Sequence, residues 1–485
     1  MRSLERRGAV FVRRSADAQR VVNAVPLGAA WVAEATGGTI ATGDRSTEFA
    51  GVSIDTRTIQ RGELFIAIHG ERFDGAEFAD AALKSGASGV VVPRGRRPAN
   101  AAGAVVIEVD DATAALQALA RAVRRASGSK VVAITGSAGK TTTKEVTGEF
   151  LASRYQVVRN RGNFNNHIGL PLSLIELRHR PEIAVVELGM NHAGEIRTLV
   201  RIAEPDVRVW TNVGEAHLGF FASVDAIADA KAEILESAAK TTVLVANADD
   251  ERITARAPRF AGRVVTFGIG GAADVRATNV IDRGIEGMAA DVVTPRGRVT
   301  IETPLVGRAN LANVLAATAV ALEFDVPLET VSERAAGLRP AAHRGEVVKL
   351  PSGATLIDDS YNANPTATKQ SLDVLASARA TRRVAVLGEM LELGDRSADL
   401  HADVGRAAAA RVDLLFTVGG APAQALAAAA VDAGMARDRV RHFASSDEAA
   451  GAVAAIVSRG DVVLVKGSRG VKTDRVVEHL KVGRG

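Results

Sequence analysis

One short stretch, ITGSAGKTT at positions 134–142, constrains the fold more than any other part of the chain. The apolar residues 131–135 that lead into it predict a buried strand. The two glycines that follow predict a tight turn whose backbone N–H groups point toward one position, where an anion could bind. A helix is predicted to begin near Lys140. This combination predicts a phosphate-binding loop. The candidate nucleotide-binding residues are Thr135, Gly136, Ser137, Ala138, Gly139, Lys140 and Thr141.

The spacing of the two glycines leaves two interpretations open. The general phosphate loop has four residues between its glycines, whereas only Ser137 and Ala138 separate them here. The stretch is therefore either a strand–helix turn with a solvated lysine or a nucleotide loop of a shorter type. The lysine and threonine after the second glycine favour a nucleotide, since Thr141 also offers a hydroxyl to Mg²⁺.

The composition sets the scale of the molecule. A length of 485 residues predicts about three domains, and 47% hydrophobic residues are enough for their cores. The net charge of +4 arises from 60 basic and 56 acidic residues, so no nucleic-acid partner is expected. The sequence has no cysteine, which excludes disulfides and thiolate metal sites. No apolar run reaches the ~18 residues of a membrane span.

Changes of pattern divide the chain into four segments. Residues 1–24 are rich in arginine, which predicts a disordered basic tail or a start codon placed too early, with a nucleic-acid or membrane arm less favoured. Residues 25–128 predict a small α/β domain, and residues 129–338 a central domain with a mostly parallel sheet. Residues 339–485 alternate strands and helices, typical of a doubly wound, Rossmann-like domain. The expected fold class is α/β with three domains.

Polar residues in the central segment follow predicted strands. Glu187 lies in the apolar stretch 183–188, and a carboxylate at the carboxyl end of a parallel strand beside a phosphate loop suits Mg²⁺. The alternative is an edge glutamate that faces solvent. His217 follows the predicted strand 207–213, a position that favours a role although a lone histidine is more often structural. Further candidates for ligand contacts are Asn163, Asn165 and Asn166 in one loop, Asn247 after a strand, and Asn310 in the helix predicted at 307–322.

A lysine interrupts the apolar stripe of a predicted helix. Val224, Ile227, Ala228, Ile234 and Leu235 share one helical face, and Lys231 lies on that face. A lysine so placed can extend its ammonium to water, which is the simpler interpretation. It can also be desolvated, and a neutral amine near a metal can react with CO₂ to give a carbamate that binds Mg²⁺.

The outer segments carry two further polar groups. In the first domain, the group Ser53, Asp55, Thr56 and Arg57 suits a polyphosphate or a sugar, and a solvated turn is an equal alternative. In the last domain, strand ends carry candidates that the strand-end rule brings to one crevice. They are Asp359, Tyr361, Asn362, Asn364, Lys466, Ser468 and Arg469, with Arg344 placed to reach the nucleotide.

Together these motifs resemble the Mur ligases, which extend the peptide of cell-wall precursors. The resemblance spans about residue 26 to the end. It is carried by ITGSAGKTT, by GNFNNHIGLP at 162–171, by DDSYNANP at 358–365, by LGEMLELG at 387–394 and by KGSRG at 466–470.

The resemblance implies roles for the candidate residues. Gly136 to Thr141 would bind ATP, with Asn247 at the adenine and Arg344 also at the nucleotide. Thr141 and Glu187 would hold one Mg²⁺, and His217 with carbamoylated Lys231 a second. The group from Ser53 to Arg57 would contact a UDP-sugar.

The resemblance also implies a reaction and partners. It predicts ATP-driven amide formation between UDP-N-acetylmuramoyl-tripeptide and D-alanyl-D-alanine in a monomeric, cytoplasmic enzyme. A related ligase that adds the third amino acid to a dipeptide is one alternative, and a non-catalytic nucleotide-binding regulator is another. A regulator would bind ATP without releasing ADP, and a pure binder has no need of a second metal.

Overall fold

The computed structural model describes residues 9–12, 24–101, 103–160, 162 and 164–482. Their strands form three sheets, which confirms an α/β fold of three domains. Strand β1 (Ala9–Val12) pairs antiparallel with residues 157–160, so disorder is not found for this part of the predicted tail. Residues 1–8 and 13–23 lie outside the described residues. In the described part of the chain no helix is long and apolar enough to cross a bilayer.

The first domain contains a five-stranded sheet. Its strand order is β2-β6-β5-β4-β3, and all neighbouring pairs are parallel except β2 with β6. The last helix begins where the Asp111 carboxylate accepts two backbone N–H bonds, and it ends at Gly128, whose φ of 73° is left-handed. The elements are α1 (Ala29–Thr36), β2 (Thr39–Thr42), β3 (Val52–Ser53), β4 (Leu64–Ile66), α2 (Ala79–Lys84), β5 (Gly89–Pro93), β6 (Val105–Val109) and α3 (Ala112–Ser127).

The central domain is built on a ten-stranded sheet that includes β1. Its elements are β7 (Lys130–Thr135), α4 (Lys140–Leu151), β8 (Val157–Asn160), α5 (Gly169–Ile175), β9 (Ile183–Glu187), α6 (Glu195–Ala203), β10 (Val207–Trp210), α7 (Val224–Ala232), β11 (Val243–Asn247), α8 (Glu251–Thr254), β12 (Arg263–Gly268), β13 (Val275–Asp282), β14 (Met288–Thr294), β15 (Gly297–Thr303), α9 (Arg308–Glu323) and α10 (Leu328–Ala336).

The order of the central strands locates a crevice. The sheet runs β1-β8-β9-β7-β10-β11-β12-β13-β14-β15, so the chain reaches one side of β7 with β9 and the other side with β10. The seven strands from β8 to β13 in this order are parallel to one another, whereas β1 and β14 pair antiparallel with the two ends of the run. Ligands of parallel α/β sheets bind beyond the carboxyl ends of strands where the order reverses. The phosphate-loop stretch follows β7 and therefore lies at that point.

The last domain has a six-stranded sheet of order β16-β17-β21-β18-β19-β20, parallel except for β16. The predicted alternation of strands and helices is confirmed, and β16 and β20 form the two edges of the sheet. The elements are β16 (Glu346–Lys349), β17 (Thr355–Asp359), α11 (Pro365–Ser377), β18 (Arg383–Gly388), α12 (Ser397–Ala409), β19 (Leu414–Val418), α13 (Ala421–Asp432), β20 (Val440–Phe443), α14 (Ser446–Ile456), β21 (Val462–Lys466) and α15 (Asp474–Val482).

Candidate active site

A cavity of about 1060 Å³ lies where the central and last domains face each other, and Glu71 of the first domain also lines it. Most of the residues predicted to bind ligand line this cavity. They are Ser137, Ala138, Gly139, Lys140, Thr141, Asn165, Asn166, Glu187, His217, Asn247, Asn310, Arg344, Asp359, Tyr361, Asn362, Asn364, Lys466, Ser468 and Arg469. Thr135, Gly136 and Lys231 lie beneath its surface, and Asn163 lies outside the described residues.

The glycine turn after β7 can be made only by glycines. A Cβ on Gly136 would lie 1.9 Å from Thr211 Oγ1, and one on Gly139 would lie 2.4 Å from Asn313 Oδ1. Both residues also have positive φ, 153° and 78°. Helix α4 begins directly after the turn, as predicted, and the Lys140 ammonium donates to Gly136 O at 2.6 Å. The lysine is thereby held over the loop.

The end of strand β10 holds the loop from the other side, which the sequence analysis missed. Asn212 Oδ1 accepts from Ala138 N at 2.8 Å, and its Nδ2 donates to Ala138 O at 3.1 Å. Thr211 Oγ1 donates to the same carbonyl at 2.8 Å. Since Ala138 is bonded on both its backbone groups, the loop is shaped before any ligand arrives. In the sequence, the polar pair Thr211 and Asn212 directly after an apolar strand could have indicated these contacts.

A buried ion pair lies beneath the loop. Glu187 is 2% exposed at the end of β9, and its Oε1 is 3.4 Å from the ammonium of Lys144, which is 1% exposed. Lys144 Nζ also donates to Asn160 O at 2.7 Å, and Asn160 Oδ1 accepts from Glu187 N at 3.0 Å. Lys144 was not predicted as a site residue, although this lysine lies four residues after Lys140 and therefore on the same helical face.

The electrostatics of this region are dominated by desolvated lysines. Burial, countered by Glu187 and reinforced by Arg344, lowers the pKa of Lys140 to about 8. Lys231 is 1% exposed on α7, so of the two interpretations that the sequence left open the structure shows the desolvated lysine and not one that extends to water. Burial and the nearby charge of Lys140 hold the pKa of Lys231 well below its ordinary value. Both amines are therefore shifted toward the neutral, nucleophilic form.

The donor set suits a hard cation at Glu187. Among the described residues, Glu187 Oε1 is one of few buried side-chain atoms without a hydrogen-bond partner. A carboxylate oxygen and the hydroxyl of Thr141 are ligands that Mg²⁺ prefers. The described residues contain no group of three or more His, Asp and Glu side chains around one point. A metal here would therefore need phosphate or carbamate oxygens as well.

His217 joins the central domain to the last domain. Its Nδ1 lies 2.6 Å from Glu392 Oε2, and this hydrogen bond lowers the pKa of Glu392 below its ordinary value. The ring lines the cavity and its side chain is 20% exposed. Glu392 belongs to the LGEMLELG motif but was not predicted as a site residue, because no local pattern links it to a histidine 175 positions away.

The residues predicted on the nucleotide side lie together on the wall of the cavity. Asn247 donates to Thr211 O at 2.8 Å, and Asn310 donates to Val306 O at 2.9 Å. Asn310 Oδ1 also accepts from Asn313 at 3.2 Å. Arg344 stands across from them with its guanidinium 4.2 Å from the centre of the Tyr361 ring. Its charge thus faces the cavity from the last domain.

The loop after β8 brings its amides to the same wall. A Cβ on Gly189 would lie 2.9 Å from the Asn165 side chain, so the two loops are in close contact. Asn166 Oδ1 accepts from the backbone N–H of Gly169, the first residue of helix α5, at 2.8 Å. At least one of the three predicted asparagines therefore stabilises the local structure of the loop.

In the last domain, several charged and polar groups that line the cavity have partners within the domain. Lys466 is 4% exposed and pairs with Asp359 at 2.7 Å. Arg469 lies 5.5 Å from the Tyr361 ring centre, on which Arg344 also stacks. Three other predicted residues also have partners: the backbone carbonyl of Asn362 accepts from the Lys466 ammonium, Asn364 Oδ1 accepts from Ala367 N at the start of α11, and Ser468 Oγ accepts from Leu391 N.

The predicted group in the first domain is not brought to this cavity. The residues from Ser53 to Arg57 are absent from its lining. Asp55 pairs with Arg57 at 2.7 Å, and the Arg57 side chain is 86% exposed. Ser53 Oγ donates to Asp55 O at 3.1 Å. Ser53, Asp55 and Thr56 are half-buried and Arg57 is exposed, so the predicted contact with a UDP-sugar stays a prediction for a site outside this cavity.

The fold and cavity define a three-domain α/β protein with a short phosphate loop at the domain junction, and comparison with known proteins identifies its family. Family models match residues 48–124 (Mur ligase family, catalytic domain), 134–321 (Mur ligase middle domain) and 343–469 (Mur ligase, glutamate ligase domain). The chain belongs to the Mur ligase family.

Individual relatives match over almost the whole chain. The UDP-N-acetylmuramoyl-tripeptide–D-alanyl-D-alanine ligase of Bacillus subtilis is 36% identical, over 93% of this chain and 97% of that protein. The ligase of the same name from Escherichia coli is 35% identical, over 89% and 93%. A crystal structure of MurF from Acinetobacter baumannii superposes with a TM-score of 0.85 at 32% identity, over 95% and 100%. Thermotoga maritima MurF in complex with ADP gives 0.80 at 29% identity, over 89% and 97%.

Proposed function

We propose that this protein joins D-alanyl-D-alanine to UDP-N-acetylmuramoyl-tripeptide, driven by ATP, in peptidoglycan precursor synthesis. The observation that carries the proposal is the similarity, over about nine-tenths of the chain, to ligases of that name. The cavity at the domain junction is consistent with this function, since a reaction of three substrates needs groups from more than one domain in one space.

The reaction consists of two substitutions. A carboxylate oxygen of the tripeptide attacks the γ-phosphorus of ATP, which gives an acyl phosphate and releases ADP. The amine of D-alanyl-D-alanine then attacks the acyl carbon, the amide forms with loss of a proton, and phosphate leaves. Both steps place negative charge on oxygens, so preorganised positive groups supply most of the acceleration.

The chain's own residues divide this work. Lys140 and the N–H groups at the start of α4 face the phosphates, and the desolvated ammonium interacts more strongly with them than it would in water. Asn247, Asn310 and Arg344 bind the nucleotide from two sides. Lys466, Ser468 and Arg469 with Tyr361 receive the incoming dipeptide, whose carboxylate suits the Arg469 guanidinium. The tripeptide occupies the space near Asn165 and Asn166.

Two Mg²⁺ ions are part of the proposal. Thr141 and Glu187 would hold one, consistent with Glu187 Oε1, which in the described part of the chain has no hydrogen-bond partner and only the 3.4 Å ion pair with Lys144. His217 and Lys231 would hold the other, with Lys231 as a carbamate formed when its neutral amine adds to CO₂ and loses a proton. The ions would stabilise charge on the phosphate oxygens.

The test is phosphate release from the purified protein with ATP and tripeptide, with and without D-alanyl-D-alanine. Tripeptides ending in meso-diaminopimelate and in lysine are compared in parallel. We expect full turnover only with both peptides. Turnover with a UDP-muramoyl dipeptide and a free amino acid would establish the sister activity instead, and ATP binding without ADP release would establish a regulator.

A further inference from the structure

His217 of the central domain and Glu392 of the last domain are joined by two hydrogen bonds between their segments. Besides the 2.6 Å bond between the side chains, Gly219 N donates to the backbone carbonyl of Glu392 at 2.7 Å. Glu392 therefore binds the central domain through both its side chain and its main chain. The partners lie in two short 3₁₀ segments, Leu218–Phe220 and Gly394–Arg396, and the residues just before them.

The backbone at this contact is strained on both sides. His217 has φ of 64° and Glu392 has φ of 65°, a left-handed conformation that non-glycine residues adopt at a cost. The two segments also approach closely, because a Cβ on Gly394 would lie 2.9 Å from the Cα of Gly219. Strain of this kind persists only where the surroundings enforce it, so the geometry of the pair is imposed by the fold.

The hydrogen bond determines which nitrogen of His217 is free. An ionised carboxylate only accepts hydrogen bonds, so Nδ1 carries the proton and donates it to Glu392 Oε2. Nε2 of the neutral ring then presents its lone pair, and within the described residues it has no recorded hydrogen-bond partner. The ring forms part of the cavity wall. A histidine that binds a metal through one nitrogen and donates the other N–H to a carboxylate is a common arrangement.

We propose that Glu392 is a positioning residue that holds His217 in the tautomer and orientation needed to bind a divalent cation through Nε2. The last domain thereby completes a metal site whose other proposed ligands belong to the central domain. The inference rests on the proposed function, because it takes His217 as a ligand of the second ion. Its consequence is that this ion binds tightly only while the two domains are in contact.

Binding of Mn²⁺ tests the inference without turnover. Electron paramagnetic resonance counts the Mn²⁺ bound to the protein in the presence of ADP, and His217→Ala identifies which affinity belongs to the second ion. We expect Glu392→Ala to weaken that affinity by about 10- to 100-fold, as carboxylate partners of metal-bound histidines do. Glu392→Gln should weaken it less, because its amide oxygen still accepts from Nδ1. Asp395→Asn is the matched control: it removes an exposed acidic side chain three positions away and should change neither site.

The same variants distinguish failure of this inference from failure of the proposed function. If Glu392→Ala changes the X-ray scattering of the ADP complex but leaves the second Mn²⁺ affinity as in the wild type, Glu392 only joins the domains and the inference is wrong. Equal weakening in Asp395→Asn would also overturn it, since bulk charge would then be the cause. Failure of the proposed function has a different signature, namely wild-type protein that releases no phosphate with both peptides present.

Discussion

The cavity has two walls that carry charge in different ways. The central rim is formed by Lys140 and Glu187, which line the cavity, together with the buried Lys144 and Lys231, and the C-terminal rim by Asp359, Tyr361, Lys466 and Arg469. In the central rim Lys144 pairs with both Glu145 and Glu187, whereas neither Lys140 nor Lys231 has an ion-pair partner among the described residues and burial lowers the pKa of both. In the C-terminal rim the buried lysine is paired with an aspartate at 2.7 Å.

This difference indicates different tasks. Unbalanced buried charge is unfavourable in the free protein, and phosphate and metal ions that balance it would bind strongly. The paired groups of the C-terminal rim are stable by themselves, and they leave the Arg344 and Arg469 guanidiniums on the Tyr361 ring to recognise a ligand. The central rim is thus suited to chemistry and the C-terminal rim to binding. Four substitutions test the contrast.

The largest expected effect is that of Lys140→Met. Phosphate release should fall by about 10³-fold or more, since the substitution removes the cation aimed at the reacting phosphate. The folded protein should nevertheless become more stable at pH 7, by up to about 3 kcal/mol, because a pKa lowered from 10.5 to about 8 reports an unfavourable buried charge. Chemical denaturation with activity assays measures both quantities.

The pH dependence provides an internal control for this substitution. Between pH 8 and 10.5 the folded wild type binds fewer protons than the unfolded chain, so wild-type stability rises with pH in that window. The advantage of Lys140→Met should therefore shrink from pH 8 to 10.5. An advantage that is constant over this range would show that the amine is not desolvated.

Lys231→Ala should reduce phosphate release by about 10²-fold, as expected for loss of one metal ligand. If Lys231 acts as a carbamate, short carboxylic acids added to the assay should restore part of the activity by supplying the missing oxygens. Lys240→Ala, an exposed lysine nearby, serves as the control and should behave as wild type. Absence of rescue would favour a plain structural lysine.

Lys466→Met should have the opposite effect on stability to Lys140→Met. Among the described residues it leaves the carboxylate of Asp359 with only the hydroxyl of Ser371 as a partner, and we expect a loss of about 2–3 kcal/mol. This is below the usual range for a broken buried pair because the Asp359 side chain is 20% exposed. Lys472→Met, exposed in the same domain, is the control for urea denaturation. Unchanged stability would mean that the two walls do not differ as described.

Tyr361→Leu should have the smallest effect. Two cation–π contacts, to Arg344 and Arg469, are removed, each worth about 0.5–1 kcal/mol when partly exposed. The KM values for ATP and for the dipeptide should rise several-fold with little change in kcat. Tyr361→Phe retains the ring and should resemble the wild type. A fall in kcat without a change in KM would place the ring in the chemistry instead.

The comparison also shows which residues of the site could be predicted from local sequence patterns. The loop residues and Lys140 could be predicted because a strand, two glycines and a helix start follow one another within ten residues. Lys231 could be predicted because helical periodicity places it on the apolar face of its helix. The group from Ser53 to Arg57 has suitable chemistry but lies away from the cavity. Its contact with a UDP-sugar stays a prediction, because residue type alone does not place a group relative to a ligand.

The sequence alone predicted most of the strands and helices around the site, the phosphate loop and the helical face on which Lys231 lies, because these follow from interactions between near neighbours. Only the tertiary structure decided that Lys144 pairs with Glu187, that Asn212 holds Ala138, and that Glu392 reaches His217. These contacts depend on strand order and on how domains meet. They join residues tens to hundreds of positions apart, for which no local pattern exists.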